Sequence, residues 1–229
     1  MLTDMAHVLV TEELAESGIE LLRSRGHDVQ VRLDLSPADL RSHVSEVDAL
    51  IVRSATQVDA QLLEAGNRLQ VVGRAGVGLD NVDTTAATAR GILVCNAPES
   101  NVVSAAEHSV GLLLALARNV AQAHGALVEG RWERSLWTGV ELLNKTVGIV
   151  GLGRVGRLVA QRLSGFDLQI LAFDPFVSSE SAREVNAEIV DLDDLLGRSD
   201  FVTVHLPKTE ETVGLFDAAR FSKFKSGAF

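Results

Sequence analysis

Residues 146–156 read T-V-G-I-V-G-L-G-R-V-G, a β-branched apolar run that closes on three glycines spaced as G-x-G-x-x-G. Glycine does a different job at each place. Gly151 permits a tight strand-to-helix turn, Gly153 lets a pyrophosphate approach the backbone, and Gly156 lets the following helix pack closely on its strand. The phosphates then face a helix N-terminus, whose N–H groups and positive dipole end attract anions. Past the turn, Val155, Leu158, Val159 and Leu163 keep helical spacing, with Arg162 a polar exception, and residues 168–173 read as a second strand. That strand ends at Asp174, 18 residues beyond Gly156, close to the offset of about 20 at which a carboxylate meets the ribose hydroxyls of a dinucleotide. A carboxylate there repels a 2′-phosphate, and residues 175–178 hold no Lys or Arg, so the spacing predicts NAD rather than NADP as cofactor.

The elements that must carry this turn alternate along the chain. Apolar runs at 8–10, 29–31, 49–52, 69–72 and 92–95 are separated by helix-like stretches at 12–23, from Ser36-Pro37, at 59–65 and at 83–89. Such alternation predicts a parallel α/β sheet. A turn-rich break at 96–101 follows, and Ser104 with Glu107 three residues on reads as a capping box opening one long apolar helix to about Val128. The expected organisation is an N-terminal domain at 1–97, an interdomain helix at 98–128 and a dinucleotide-binding domain at 129–229. The second domain shows three complete strands, the third at 201–206, with residues 227–229 reading as the entry to another. The fold class expected is α/β with two Rossmann-like or flavodoxin-like parallel-sheet domains, the second incomplete.

Composition narrows the function classes. A hydrophobic fraction of 46% with 23% charged residues describes an ordinary globular protein, and a net charge of −10 with a pI near 5.0 opposes a long contact with a phosphate backbone, so no nucleic-acid partner is expected. A single cysteine, Cys95, excludes an intrachain disulfide, fits a reducing cytoplasm and is expected as a small buried hydrophobe. The first eight residues lack the pattern of a signal peptide, and the longest apolar stretch, 110–117, falls far short of the roughly 18 residues of a membrane span. His108 and His124 have no partners at metal-ligand spacing, so no metal is expected.

The chain resembles the D-isomer-specific 2-hydroxyacid dehydrogenase family, and within it the bacterial enzymes acting on D-3-phosphoglycerate. The resemblance rests on V-R-S-A-T at 52–56, G-R-A-G-V-G-L-D-N-V-D at 73–83, N-A-P at 96–98, S-A-A-E-H at 104–108, G-x-W-x-R at 130–134, the glycine motif, and V-H-L-P-K-T at 204–209. It implies an N-terminal domain carrying substrate contacts and an NAD-binding domain. Matched by motif, Arg53 and Ser54 would face the substrate, and backbone N–H groups around Gly76, Val77 and Gly78 would take its carboxylate, a role that small residues leave open. Arg74 and Arg134 are the candidates for a substrate phosphate, Arg134 from a neighbouring subunit. Arg154 and Val155 would lie under the pyrophosphate, Asp174 would hold the ribose, and Val77, Leu206 and Pro207 would line the cofactor site. The family's dimers and the apolar helix imply a homo-oligomer.

Removing hydride from a 2-hydroxy acid requires a base for the hydroxyl proton and a cation for the forming carbonyl. The family's Arg, Glu and His for those tasks are expected beyond Phe229, so no residue here is named catalytic. His205, at the end of a cofactor-domain strand, is expected to matter through its backbone. Two function classes stay open. One is NAD-dependent oxidation of D-3-phosphoglycerate to 3-phosphohydroxypyruvate, with glyoxylate, hydroxypyruvate or D-lactate as sibling substrates; the other is a non-catalytic NAD-binding module.

Overall fold

A computed structural model describes residues 5–229; the first four, part of the stretch read as lacking a signal-peptide pattern, lie outside the described residues. The chain divides into two compact units, one running through Asn101 and the other Val102–Phe229.

The first unit alternates strand and helix: β1 (His7–Val10), α1 (Glu16–Ser24), β2 (Asp28–Val31), α2 (Pro37–Val44), β3 (Ala49–Val52), α3 (Ala60–Ala65), β4 (Val71–Arg74), α4 (Thr84–Ala89) and β5 (Leu93–Asn96). All its strand pairs are parallel, in the order β2-β1-β3-β4-β5. Helix starts follow from short polar caps. Ser36 accepts from the Asp39 N–H ahead of Pro37, Asp59 from Leu62 and Asp83 from Ala86. One sheet face buries Leu9, Leu50, Val52 and Val72 against Leu62, Leu63 and Ala87; the other buries Val8, Val10 and Val29 against Ile19. Cys95 departs from expectation. It is exposed, because β5 is an edge strand whose Leu93 and Cys95 side is left uncovered.

The second unit contains α5 (Val102–Ala117), α6 (Val120–Val128), β6 (Thr146–Val150), α7 (Arg154–Leu163), β7 (Gln169–Phe173), α8 (Ser179–Arg183), β8 (Ala187–Ile189), α9 (Leu192–Arg198), β9 (Phe201–Val204) and α10 (Ala218–Phe221). Its parallel sheet has the order β8-β7-β6-β9. Val147, Ile149, Ile170 and Phe201 pack on one face with Ala106 of α5 and Val159 and Leu163 of α7, while Val150 and Leu171 pack on the other with Leu195 and Leu196 of α9.

The second unit differs from expectation in three places. The long helix is two helices, because Asn119 takes the left-handed conformation at φ 53° and ends the first run. Ser104 is no cap, since α5 already begins at Val102; Glu107 instead accepts from Arg162 Nη2 at 2.9 Å, which explains the polar exception on α7. The sheet has a fourth strand, β8, between β7 and the strand expected third, where the sequence showed none. Phe229 lies beside β9: its N–H donates to the Asp200 carbonyl, its own carbonyl accepts from the Val202 N–H, and its ring stacks on Phe201 at 5.1 Å.

Candidate functional site

Parallel strands send every strand-to-helix loop to the carboxyl edge of their sheet, and ligands of open α/β sheets bind at that edge where the strand order reverses. In the first unit the reversal falls between β1 and β3, and in the second between β6 and β9. The residues singled out from sequence lie at these two edges, at strand ends, in the loops after them or at the start of the next helix, with Arg134 as the exception.

In the second unit the glycine turn follows β6. Gly151 sits at φ +95°, and a Cβ there would stand 2.7 Å from the His205 carbonyl oxygen, so both its backbone angle and the approach of the β9 loop demand glycine. At Gly156 a Cβ would come within 2.1 Å of the Gly151 carbonyl oxygen. Around Gly153 nothing lies within 4 Å of a Cβ position. Gly153 is also the residue preceding α7, where it offers no side-chain cap. An open approach to an uncapped helix start is the geometry an anion requires.

Asp174 stands directly after β7. Its Oδ2 accepts from the Leu152 N–H and its Oδ1 from the Phe176 N–H, both at 2.9 Å. These bonds fix the carboxylate against the glycine turn, and each oxygen keeps a second lone pair for a ribose hydroxyl. Behind it, Arg157 of α7 donates to the Ser181 carbonyl and hydroxyl at 2.9 Å and to Glu184 at 2.6 Å, tying α8 to the same helix. Leu206 packs with Val150 and Leu171, and Pro207 follows it. The His205 ring is half-buried, its Nε2 is 3.0 Å from Thr203 Oγ1, and burial holds its pKa below the ordinary imidazole value. Arg154 and Val155 open α7, whereas Arg134 stands apart in the turn after α6, exposed.

In the first unit, Arg53 and Ser54 follow β3, Arg74 is the last residue of β4, and Gly76, Val77 and Gly78 lie in the loop after it. The Arg74 guanidinium lies over Gly76, where a Cβ would overlap its Nη1, and its Nε is buried with no partner. The Gly76 N–H is taken by the Arg74 carbonyl at 2.8 Å, so of the three amides proposed for a carboxylate only those of Val77 and Gly78 have no partner among the described residues. Asn96 Nδ2 holds the Val77 carbonyl at 2.7 Å.

Two residues that carry no obvious signal in the sequence shape this edge. Glu12, after β1, accepts from the N–H groups of Arg53, Ala55 and Thr56. Burial pushes its carboxyl pKa up, but the three donors together outweigh it and leave the value lowered. Asn81, only 4% exposed, donates from Nδ2 to the carbonyls of Arg53 and Thr56, both at 2.7 Å. Among the described residues, no group of three or more His, Cys, Asp or Glu stands together as a metal site, and no helix is long and apolar enough to cross a membrane.

Comparison with known proteins agrees with this geometry. Residues 110–229 match the model of the D-isomer specific 2-hydroxyacid dehydrogenase NAD-binding domain. The D-3-phosphoglycerate dehydrogenase of Archaeoglobus fulgidus is 47% identical over 220 residues, and that of Mycobacterium tuberculosis 52% identical over 222. Each alignment covers 96% of this chain but 42% of the relative, so the chain spans less than half the length of these proteins. Among solved structures, the NAD-dependent formate dehydrogenase of Staphylococcus aureus in complex with NAD superposes with a TM-score of 0.85 at 34% identity, covering 96% of this chain and 70% of that one. With a family match over more than half its length, the chain belongs to the D-isomer specific 2-hydroxyacid dehydrogenases, and residues 110–229 of its second unit are their NAD-binding domain.

Proposed function

We propose that this protein oxidises D-3-phosphoglycerate to 3-phosphohydroxypyruvate with NAD. The observation that carries the cofactor half is the uncapped, open helix start at Gly153 beside the Asp174 carboxylate. The substrate half is supported by the names of relatives 47–52% identical across 96% of the chain. Bound NAD would supply the hydride acceptor. On the cofactor side, Gly151, Gly153, Arg154, Val155 and Gly156 cradle the pyrophosphate, Asp174 takes the ribose hydroxyls, and Val77, Leu206 and Pro207 contact the remainder. Arg53 and Ser54 bind the substrate, the Val77 and Gly78 N–H groups take its carboxylate, and Arg74 and Arg134 neutralise its phosphate, Arg134 from a second copy. No described residue is assigned as the base, and His205 is not given that role, because its ring nitrogen is engaged by Thr203 and burial disfavours its charged form.

We further propose a homo-oligomer in the cytoplasm. Leu112, Leu116, Val120, Leu127 and Val128 on α5 and α6 are each 47–73% exposed, an apolar surface suited to a second copy. The test is NADH formation by the polypeptide as its gene encodes it, supplied in turn with D-3-phosphoglycerate, D-lactate and glycolate, alongside sedimentation for assembly state. Faster turnover of another acid would reassign the substrate. NAD binding with no oxidation of any acid would make the protein a nucleotide-binding module.

A further inference from the structure

The 53–56 loop is held almost wholly by two side chains from outside it. Glu12 Oε1 accepts from the N–H groups of Arg53 at 2.7 Å and Thr56 at 3.0 Å, and its Oε2 from Ala55 at 3.1 Å. Asn81 Nδ2 donates to the carbonyls at both ends of the loop. Thr11 Oγ1 adds a bond to Thr56 Oγ1 at 2.9 Å. Ser54 is the residue left over: neither its N–H nor its hydroxyl has a partner among the described residues.

We propose that Glu12 and Asn81 are positioning residues for the substrate, a role that rests on Arg53 and Ser54 binding it. Three N–H groups converging from four consecutive residues form a concave nest, which attracts any anion. Glu12 fills that nest from within the chain. The loop is therefore closed to adventitious anions at its backbone and presents only Ser54 and the Arg53 side chain. Asn81 supplies the spacing. Its backbone carbonyl accepts from the Val58 N–H at 2.8 Å and the Asp83 N–H donates to the Val58 carbonyl at 2.9 Å, lacing the loop after β3 to the loop after β4 that holds Gly76, Val77 and Gly78. The Asn81 amide, buried with its Oδ1 unpartnered, thus fixes one set of substrate contacts relative to the other. Its isolated Oδ1 is a cost that loop rigidity alone does not explain, since two carbonyl acceptors could be served by an exposed donor.

Amide hydrogen exchange and steady-state kinetics on the polypeptide as its gene encodes it test this. Glu12→Gln keeps one oxygen for Arg53 and Thr56 but sets an NH2 against Ala55, so exchange should quicken at Ala55 alone; Glu12→Ala should release all three amides. Both should raise the KM for D-3-phosphoglycerate, by about tenfold for Glu12→Ala, the scale of one weakened hydrogen bond to a charged group. NAD affinity and kcat should move far less, and added formate should refill the nest of Glu12→Ala and recover much of the KM. Asn81→Ser, the milder partner of Asn81→Ala, should raise KM in the same way. Wild-type KM in Glu12→Ala and Asn81→Ser, or unchanged exchange at residues 53, 55 and 56, would overturn the proposal. A wild-type protein that does not turn over or bind phosphoglycerate would instead remove the substrate assignment, while the exchange pattern still decides whether the loop is clamped.

Discussion

Replacing Gly153 and Gly156 separately by alanine distinguishes space reserved for a ligand from space already filled by the fold. At Gly156 the new Cβ would lie 2.1 Å from the Gly151 carbonyl oxygen and 3.2 Å from Ile149 Cγ2. Non-bonded heavy atoms settle at roughly 3.5 Å or more, so α7 must retreat from β6 by more than an ångström, and the obstacle is backbone that no rotamer change can clear. Overpacking of this kind costs about 1–3 kcal/mol, against a helix-propensity gain of about 1 kcal/mol for Gly→Ala. The net expectation is a loss of up to about 2 kcal/mol in the second unit, with NAD weakened because the turn moves. At Gly153 the backbone is extended at φ −72°, ψ −159°, and nothing lies within 4 Å of a Cβ. Gly153→Ala should leave unfolding within about 0.5 kcal/mol of wild type, yet weaken NAD at least tenfold, about 1.4 kcal/mol. Calorimetric unfolding, with the second unit's transition identified by its shift on adding NAD, and titration of NAD into each variant give both numbers. A Gly156→Ala protein as stable and as tight as wild type, or a Gly153→Ala protein that loses stability but not affinity, would refute the division of labour between the two glycines.

Asp174→Ala should narrow the preference for NAD over NADP, measured as the ratio of kcat/KM for the two cofactors, and an unmoved ratio would leave Asp174 a purely structural residue. Arg53→Ala should raise the KM for phosphoglycerate, with a transition-state loss of about 1.5–3 kcal/mol, the range for a hydrogen bond to a charged group; unaltered kinetics would point to another anchor. The first unit should be acid-labile in a defined window. Glu12 and Asp48, the latter held by the His7 N–H and Arg68, both have lowered folded pKa values, so their stabilisation is present in full above the ordinary values of 4.5 and 3.8 and is lost as pH falls through the folded ones. Unfolding monitored from pH 6 to pH 3 should show that loss, and Glu12→Gln should flatten the slope; a slope identical to wild type would remove Glu12 from the account.

The parts of the molecule that were legible beforehand are those set by local rules. The β-branched runs, the helices opening near Ser36, Asp59 and Asp83 and the glycine turn each depend on residues within a few positions of one another, and both parallel sheets follow from their alternation. What escaped depends on distant partners or on one residue's dihedral. Asn119 ends an otherwise continuous apolar helix through φ alone, a conformation Asn tolerates but does not announce. Strand β8 has three residues and follows Asn186, also left-handed, so no periodicity could develop. Glu12 and Asn81 bond backbone atoms 41–44 and 25–28 residues away, and neither residue type nor spacing signals a clamp on a loop it meets only after folding.

The two backbone bonds of Asp174 constrain how this lineage could ever change its cofactor. If Asp174 holds the ribose as proposed, a mutation that removes its carboxylate to admit a 2′-phosphate also strips the Leu152 and Phe176 amides of their acceptor, so the first step towards NADP would loosen the turn proposed to bind either dinucleotide. Asn at this position keeps an oxygen for one of the two amides and discards the charge, which makes it the passable intermediate. A basic residue nearby becomes useful only after that step. Selection for NADP would therefore run through a fixed order of substitutions, and descendants that arrived there should carry a substitute acceptor for Leu152 as the trace of the route.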